Sequence, residues 1–229
     1  MRFEEYWEEI ELMIRQNYTE YDMYSVIAAL MREGKNIKKL SLRDVNRRRG
    51  STARGRVFFG LSSIPDFVIL DKEFVNSENW EDNIEKVYGC VEIKGFDKEL
   101  LSIQSILGKV KNEESMSIEE EQILGEIFWY KKVLYTNGRV WKYLRLECES
   151  YSELQRQIRS FVRRRTYDTN VEAEFCKWYE DGEIDLNKVS ITESYITNKE
   201  IPLSRKTTED DWKKFLDELY KIDWCFKMN

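Results

Sequence analysis

The residues most capable of chemistry in this sequence are Asp66, Glu92 and Lys94. Asp66 follows Pro65 at the start of an apolar run, and Glu92 and Lys94 stand at the end of a second apolar run. Hard divalent cations prefer carboxylate oxygens as ligands, and an ammonium group beside them can stabilise charge on a phosphate. Two carboxylates and one ammonium at one sheet edge would therefore suffice to hold a cation and hydrolyse a phosphodiester.

Strand alternation gives different roles to the residues around Glu92. The side chains of Glu92 and Lys94 share one face of a strand, whereas Ile93 points to the other face. We expect a cation to be held by Asp66, Glu92 and the Ile93 carbonyl, with Lys94 beside the attacking water. The alternative is an ordinary surface salt bridge between neighbouring strands.

The composition restricts which chemistry can operate. The chain has 229 residues and no histidine, which excludes serine and cysteine mechanisms that depend on a histidine base. The four cysteines form no C-x-x-C pair, so we expect no zinc site. Metal chemistry must then use carboxylates, which favours Mg²⁺ or Mn²⁺ as the cofactor.

The sequence contains no sign of a membrane protein. No run approaches the roughly 20 apolar residues that span a bilayer, and the first residues lack the apolar core of a signal peptide. We therefore expect a cytoplasmic protein without a membrane partner.

The charge pattern gives a mixed indication about nucleic acid. The net charge of −6 opposes binding to a polyanion, but arginines cluster in residues 43–56 and 156–165. The alternative interpretation is two solvated basic faces. The candidate nucleic-acid-binding residues are Arg47, Arg48, Arg49, Arg54, Arg56, Arg156, Arg159 and Arg163.

The hydrophobic pattern predicts an α/β (α+β) protein. Asn137–Gly138 is a strong hairpin signal between two strands. Residues 171–204 show no clear pattern. We expect helices over residues 3–33, from Ser117, over 152–165 and from Thr208, and strands over 56–59, 67–70, 87–93, 133–136 and 140–146.

The simplest organisation is one domain over residues 1–229, because the sequence shows no linker and no repeat. Within it, residues 55–146 would form the core. Residues 1–54 would supply N-terminal helices and an arginine-rich segment, and residues 147–229 a C-terminal helical extension.

The order of these motifs resembles the PD-(D/E)xK nuclease superfamily. Over about residues 55–146 it is similar to the N-terminal nuclease domain of type I restriction motor subunits and to their stand-alone relatives. The residues that carry the resemblance are Pro65–Asp66, Glu92–Lys94, Gln122 on a helix, the strand end Thr136–Gly138, and Trp141.

The resemblance implies a restriction-endonuclease-like mixed central sheet flanked by helices. It implies Asp66 and Glu92 as metal ligands and Lys94 as the catalytic lysine. Gln122 would assist near the nucleic acid or the attacking water. The chain departs from the family in three ways. The segment between Asp66 and Glu92 is longer and more acidic than a minimal hairpin, Tyr130 stands eight residues after Gln122 rather than at the usual helical spacing, and no motor follows.

Further carboxylates are candidates for the same cleft. The family often adds an acid from an N-terminal helix, and Glu20, at a helix start, is the preferred metal ligand among Glu8, Glu9, Glu11 and Glu20. Glu126 lies one helical turn after Gln122 and could face the cleft, and the alternative for Glu126 is a solvated surface carboxylate.

The sequence therefore predicts a metal-dependent nuclease that hydrolyses phosphodiester bonds, with DNA as the expected substrate. The alternative is a non-catalytic binding protein on the same scaffold, such as an inhibitor or adaptor of a nucleic-acid machine encoded by a mobile element. The acidic net charge and the missing motor favour that alternative. A homodimer and a protein partner from a defence or mobile-element system are further hypotheses about partners.

Overall fold

The computed structural model describes residues 1–16, 18–47, 53–164, 188–197 and 202–225. The helices in these ranges are α1 (Phe3–Arg15), α2 (Asp22–Glu33), α3 (Lys35–Lys38), α4 (Ala53–Phe59), α5 (Ile103–Lys111), α6 (Ile118–Tyr130), α7 (Tyr151–Arg164) and α8 (Glu209–Lys221). A short 3-10 helix covers Ile84–Lys86. The strands are β1 (Ser41–Asp44), β2 (Phe67–Leu70), β3 (Val87–Ile93), β4 (Lys132–Thr136), β5 (Trp141–Cys148) and β6 (Val189–Tyr195).

The six strands form one mixed sheet in the order β1-β2-β3-β4-β5-β6. The β3–β4 pair is parallel, and every other neighbouring pair is antiparallel. A parallel pair requires a crossover connection, which α5 and α6 supply. The predicted α+β class with a mixed sheet is confirmed.

The sheet separates two hydrophobic cores because successive side chains of a strand point to opposite faces. Val68 and Cys90 pack on one face with apolar residues of α5, α6 and α7. Phe67 and Val91 pack on the other face with residues of α1, α2 and α8. The described elements are thus layered as helices, sheet and helices.

The helix α6 begins at a capping box, as the sequence predicts. The Ser117 hydroxyl accepts from the Glu120 backbone N–H, and the Glu120 carboxylate accepts from the Ser117 N–H at 2.7 Å. These two bonds satisfy N–H groups that the first helical turn leaves without partners. The helix ends at Lys131, which adopts a left-handed backbone with φ 66°.

Several expectations from the sequence are wrong. Residues 57–59 belong to α4 and not to a strand. The segments predicted as N-terminal helices with an arginine-rich loop and as a C-terminal helical extension also contribute β1 and β6 to the sheet. The helix α5 was not expected. Short apolar runs fit a helix or a strand equally well, and tertiary packing decides between them.

The predicted helix over 152–165 is observed as Tyr151–Arg164, and residue 165 lies outside the described ranges.

Within the described ranges, no helix combines the length and the apolar character that a membrane span requires.

The Asn137–Gly138 turn joins β4 to β5 and requires glycine. Gly138 has φ 81°, and its carbonyl accepts a hydrogen bond of 2.6 Å from the Tyr6 hydroxyl of α1. A Cβ atom at this position would collide with the Met23 side chain, which is buried.

We expect Gly138→Ala to lower the free energy of unfolding by about 1–3 kcal/mol, because alanine is strained at this φ and crowds Met23. Urea denaturation measures the change. The matched control is Gly108→Ala inside α5, where an added Cβ meets nothing within 4 Å. That control should gain about 0.5–1 kcal/mol from helix propensity. Equal changes in the free energy of unfolding for the two substitutions would contradict the requirement for glycine at position 138.

Candidate active site

The pairing of β2 with β3 brings Asp66 and Glu92 together. Phe67 stands opposite Val91 in the antiparallel ladder, so the next pair along the strands is Asp66 and Glu92. Directly opposed residues of antiparallel strands project to the same face at close range. Asp66 Oδ2 also accepts a 2.7 Å hydrogen bond from the backbone N–H of Ile93. The predicted proximity of these carboxylates is observed.

Lys94 and Gln122 surround the Glu92 carboxylate. The Lys94 ammonium donates to Glu92 Oε1 at 2.8 Å and to Gln122 Oε1 at 3.4 Å. The Gln122 amide donates to the same Glu92 Oε1 at 2.7 Å. The backbone N–H of Lys94 donates to the Thr136 carbonyl at 2.8 Å, which continues the β3–β4 pairing as far as the site. The predicted strand and helix residues therefore form one connected polar network.

Glu126 is buried within this network and is not a surface carboxylate. Its exposed fraction is 1%, compared with 3% for Glu92 and 7% for Asp66. Glu126 Oε1 accepts hydrogen bonds of 3.2 Å from the Gln122 amide and from the Ser63 hydroxyl. Residues four apart on a helix share one face, so α6 directs Gln122 and Glu126 together toward the sheet.

Sequence reasoning missed Tyr24. Its hydroxyl, on α2, donates a short hydrogen bond to Asp66 Oδ1, and Asn46 donates to the same hydroxyl at 3.2 Å. Asp66 is therefore held at both oxygens, by Tyr24 and by the Ile93 N–H. The sequence carried no signal for this role, since Tyr24 fits the amphipathic pattern of α2 as an ordinary core aromatic.

Glu20 lies at the border of the same network. It is half-buried, accepts a hydrogen bond from the Gly95 backbone, and interacts electrostatically with Lys94 and Glu92. Among the alternatives in α1, Glu11 lies elsewhere, because it forms a 2.9 Å hydrogen bond with Arg205. Glu20 thus lies beside the network, and its role as a metal ligand stays a prediction.

The network contains more carboxylates than cations. Burial raises the pKa of Asp66 to about 8, with a further contribution from the Glu92 charge. Burial also raises the pKa values of Glu92 and Glu126. Burial opposes the charged form of Lys94, but the Glu92 carboxylate outweighs it and raises the pKa of Lys94. The site accordingly favours a positive charge in addition to that of Lys94.

Two oxygens in the network are suited to a cation. Glu92 Oε2 and Glu126 Oε2 are buried without a hydrogen-bond partner. In the described part of the chain, no three His, Cys, Asp or Glu side chains are grouped as a ready-made metal site. Mg²⁺ is commonly held by only one or two carboxylates together with waters. Glu92 and Glu126 each have a free oxygen that a cation could use, whereas both oxygens of Asp66 already accept hydrogen bonds. A magnesium or manganese ion held by Asp66 and Glu92 stays a prediction.

The predicted basic residues are only partly at this end of the sheet. Arg47 is exposed and follows Asn46, which touches Tyr24. Arg56 is half-buried in α4. Arg48, Arg49 and the side chain of Arg54 lie outside the described part of the chain.

The arginines of α7 lie away from the carboxylates. Arg156 pairs with Glu153 at 2.6 Å and Arg163 pairs with Glu81 at 2.6 Å. Arg159 lies beside Lys131, at the end of α6 that is opposite to Gln122. Lys131, the residue that caps α6, stands nine positions after Gln122, which corresponds to about 13 Å along the helix axis. Arg159 thus does not flank the carboxylates, and Arg156 and Arg163 are already paired.

No protein-family model, curated protein or solved structure matches this chain. The resemblance to PD-(D/E)xK nucleases is therefore carried by the sequence motif alone and stays a prediction.

We expect the cation-free protein to lose stability as pH rises from about 4 to about 8. The pKa of Asp66 is higher in the folded state, so the folded protein binds more protons in this window, and its free energy of unfolding falls with pH. Asp66→Asn removes this titration and should reduce the fall between pH 5 and pH 8 by about 1 kcal/mol or more. Urea denaturation in the presence of a chelator measures both proteins. If the free energy of unfolding depends on pH in the same way in both proteins, burial does not raise the pKa of Asp66.

Proposed function

We propose that this protein is a metal-dependent nuclease that hydrolyses phosphodiester bonds, with DNA as the substrate. The observation that carries the proposal is the half-buried Lys94 ammonium, which lies 2.8 Å from Glu92, the residue that stands opposite Asp66 across the β2–β3 pair. A lysine beside two opposed carboxylates at strand ends combines cation ligands with a donor for phosphate or water. This is the arrangement expected from the resemblance to PD-(D/E)xK nucleases.

Each residue of the site has a distinct role in the proposed mechanism. Asp66 and Glu92 would hold Mg²⁺ or Mn²⁺, with Glu20 at the border of the site. The bound ion would supply Lewis-acid activation of water and phosphate. Lys94 remains charged because Glu92 raises its pKa, so it can donate to the attacking water or to a phosphate oxygen.

The other polar groups position these residues. Tyr24 and the Ile93 N–H orient the Asp66 carboxylate from two sides. Gln122 donates to Glu92 and accepts from Lys94, which fixes both of them relative to α6. Donors that are already in place need no reorganisation during the reaction, which is how preorganised sites lower a barrier.

A second candidate function is a non-catalytic binding protein on this scaffold, such as an inhibitor or adaptor of a nucleic-acid machine. The specific observation in its favour is that Lys94 already pairs with Glu92 and compensates part of the negative charge. Cleavage of plasmid and single-stranded DNA in the presence of Mg²⁺ or Mn²⁺ distinguishes the two functions, since only the nuclease turns over.

We expect Lys94→Ala to reduce the rate of DNA cleavage by about a hundredfold or more, because one preorganised donor to the reacting groups is lost. A plasmid-nicking assay with Mn²⁺ measures the rate, and circular dichroism verifies folding. Lys98→Ala is the matched control, since Lys98 is exposed on the following loop and should leave the rate unchanged. A folded Lys94→Ala protein with the wild-type rate would exclude Lys94 from the chemistry.

We expect replacement of Arg47, Arg48 and Arg49 by glutamine to weaken DNA binding similarly for all sequences and to reduce its salt dependence. Each lost phosphate contact should lower the slope of log K against log salt by about 0.9. Fluorescence anisotropy at several salt concentrations measures this. The matched control is Arg156→Gln with Arg163→Gln, since both arginines are already paired with a carboxylate of the protein. If the control loses as much affinity as the triple variant, the DNA path is not at the carboxylate end.

A further inference from the structure

A second site candidate lies at the end of α6 opposite to the carboxylates. A partly open cavity of about 220 Å³ lies there between the end of α6, the start of β3, α7 and the segment after α8. Lys131, Gln155 and Arg159 contribute its polar walls, and Tyr88 and Trp224 contribute aromatic surface. We call it the Lys131 cavity. None of the residues assigned above to the proposed nuclease site lines it.

Three features of Lys131 are energetically unfavourable: its left-handed backbone, the burial of its ammonium group and the nearby charge of Arg159. Its backbone is left-handed with φ 66°, at a helix end where glycine is the usual residue. Hydrogen bonds from Lys131 N–H to the Ile127 carbonyl and from Leu146 N–H to the Lys131 carbonyl hold that backbone in place. Burial, together with the neighbouring Arg159 charge, lowers the pKa of Lys131 to about 8. Strain of this kind in a non-glycine residue is characteristic of functional sites.

The charges of Lys131 and Arg159 are not compensated within the described residues. Arg156 and Arg163, one helical turn away on either side of Arg159, each form a close ion pair. Arg159 forms neither an ion pair nor a hydrogen bond there, and it influences Glu81 at longer range. The Lys131 ammonium lies 5.9 Å from the centre of the Tyr151 ring and likewise has no carboxylate partner.

The other charged groups at the cavity do not neutralise the positive charges of Lys131 and Arg159. The Lys132 ammonium donates to the backbone carbonyls of Asp223 and Trp224 at 3.2 and 2.8 Å. Glu85 is the carboxylate among the described lining residues, and its side chain is exposed. Two half-buried cations that form no ion pair within the described residues, a neighbouring amide from Gln155 and a partly open cavity together describe an anion-binding site.

We propose that the Lys131 cavity binds a phosphate monoester that carries an aromatic group, of which a nucleoside monophosphate is the simplest. Lys131 and Arg159 would bind the phosphate, and Tyr88 and Trp224 would contact the ring. The volume of about 220 Å³ is below the range of about 300–1,000 Å³ found for pockets that take drug-sized ligands, which favours a small ligand. The phosphate can belong to a free mononucleotide or to the 5′ end of a nucleic-acid chain, and both present the same chemistry.

Calorimetric titration of the full chain at pH 7 with adenosine monophosphate, inorganic phosphate and adenosine tests the proposal. We expect saturable binding of adenosine monophosphate, weaker binding of inorganic phosphate and no binding of adenosine. Absence of binding by adenosine monophosphate at millimolar concentration would overturn the proposal, and so would equal binding of adenosine.

Substitutions at the cavity test the assigned residues. Lys131→Gly relieves the positive φ, so it should fold at least as stably as the wild type yet bind adenosine monophosphate about tenfold or more weakly. Arg159→Gln should weaken binding to a similar degree, whereas Arg156→Gln, the control on the same helix, should have no effect. Glu85→Gln should strengthen binding, since it removes a negative charge at the rim. Wild-type affinity in both Lys131→Gly and Arg159→Gln would overturn the assignment.

A pair of tetranucleotides distinguishes the two sources of phosphate. If a 5′-phosphorylated tetranucleotide binds in a manner that depends on Lys131, the cavity takes a chain end. If it does not and adenosine monophosphate does, the cavity takes free mononucleotides. Binding of the unphosphorylated tetranucleotide with the same dependence on Lys131 would overturn the requirement for a monoester. These measurements are independent of cleavage, so they hold whether or not the proposed nuclease function is correct.

Discussion

The antiparallel register of β2 against β3 is the constraint on which the candidate active site depends. Because side chains alternate with a period of two, a slip of one residue would move Glu92 to the opposite face from Asp66. The register is enforced by hydrophobic burial, since Phe67 and Val91 enter one core while Val68 and Cys90 enter the other. The same packing that stabilises the sheet thus sets the position of the two carboxylates.

The cost of burying these carboxylates explains much of the surrounding structure. A buried charge is tolerated when it is paired and hydrogen-bonded. Lys94 and Gln122 satisfy one oxygen of Glu92, and Tyr24 and the Ile93 N–H satisfy both oxygens of Asp66. The second oxygen of Glu92 remains without a partner. This incomplete compensation supports the proposal that a divalent cation belongs to the site.

The helix α6 connects the two ends of the molecule that carry unusual charge. Gln122 and Glu126, one turn apart on α6, both point at the carboxylate network, and Lys131 follows the last turn of the helix at the cavity. A capped helix is a stiff element, so the separation of about 13 Å between Gln122 and Lys131 is set by the helical rise. The excess of carboxylates at one end and of cations at the other therefore belongs to one rigid frame.

Local patterns in the sequence determined a large part of this structure. A capping box, a hairpin signal and strand alternation each act over a few residues, and they located α6, the turn at Asn137–Gly138 and the shared face of Glu92 and Lys94. The proximity of Asp66 to Glu92 could also be predicted, because adjacent apolar runs joined by a loop commonly pair in antiparallel fashion.

Only the tertiary structure decided the contacts between distant segments. Tyr24 reaches Asp66 across 42 residues, and nothing in the local pattern of α2 separates it from a core aromatic. The apolar run at 57–59 became helical and residues 189–195 became a strand, because packing on α6 and pairing with β5 outweighed weak local preference. The arginine stripe of α7 was visible in the sequence, but its distance from Asp66 was not. Charge patterns record which side chains share a helix face, whereas the partner of that face is set by how the helix packs on the sheet.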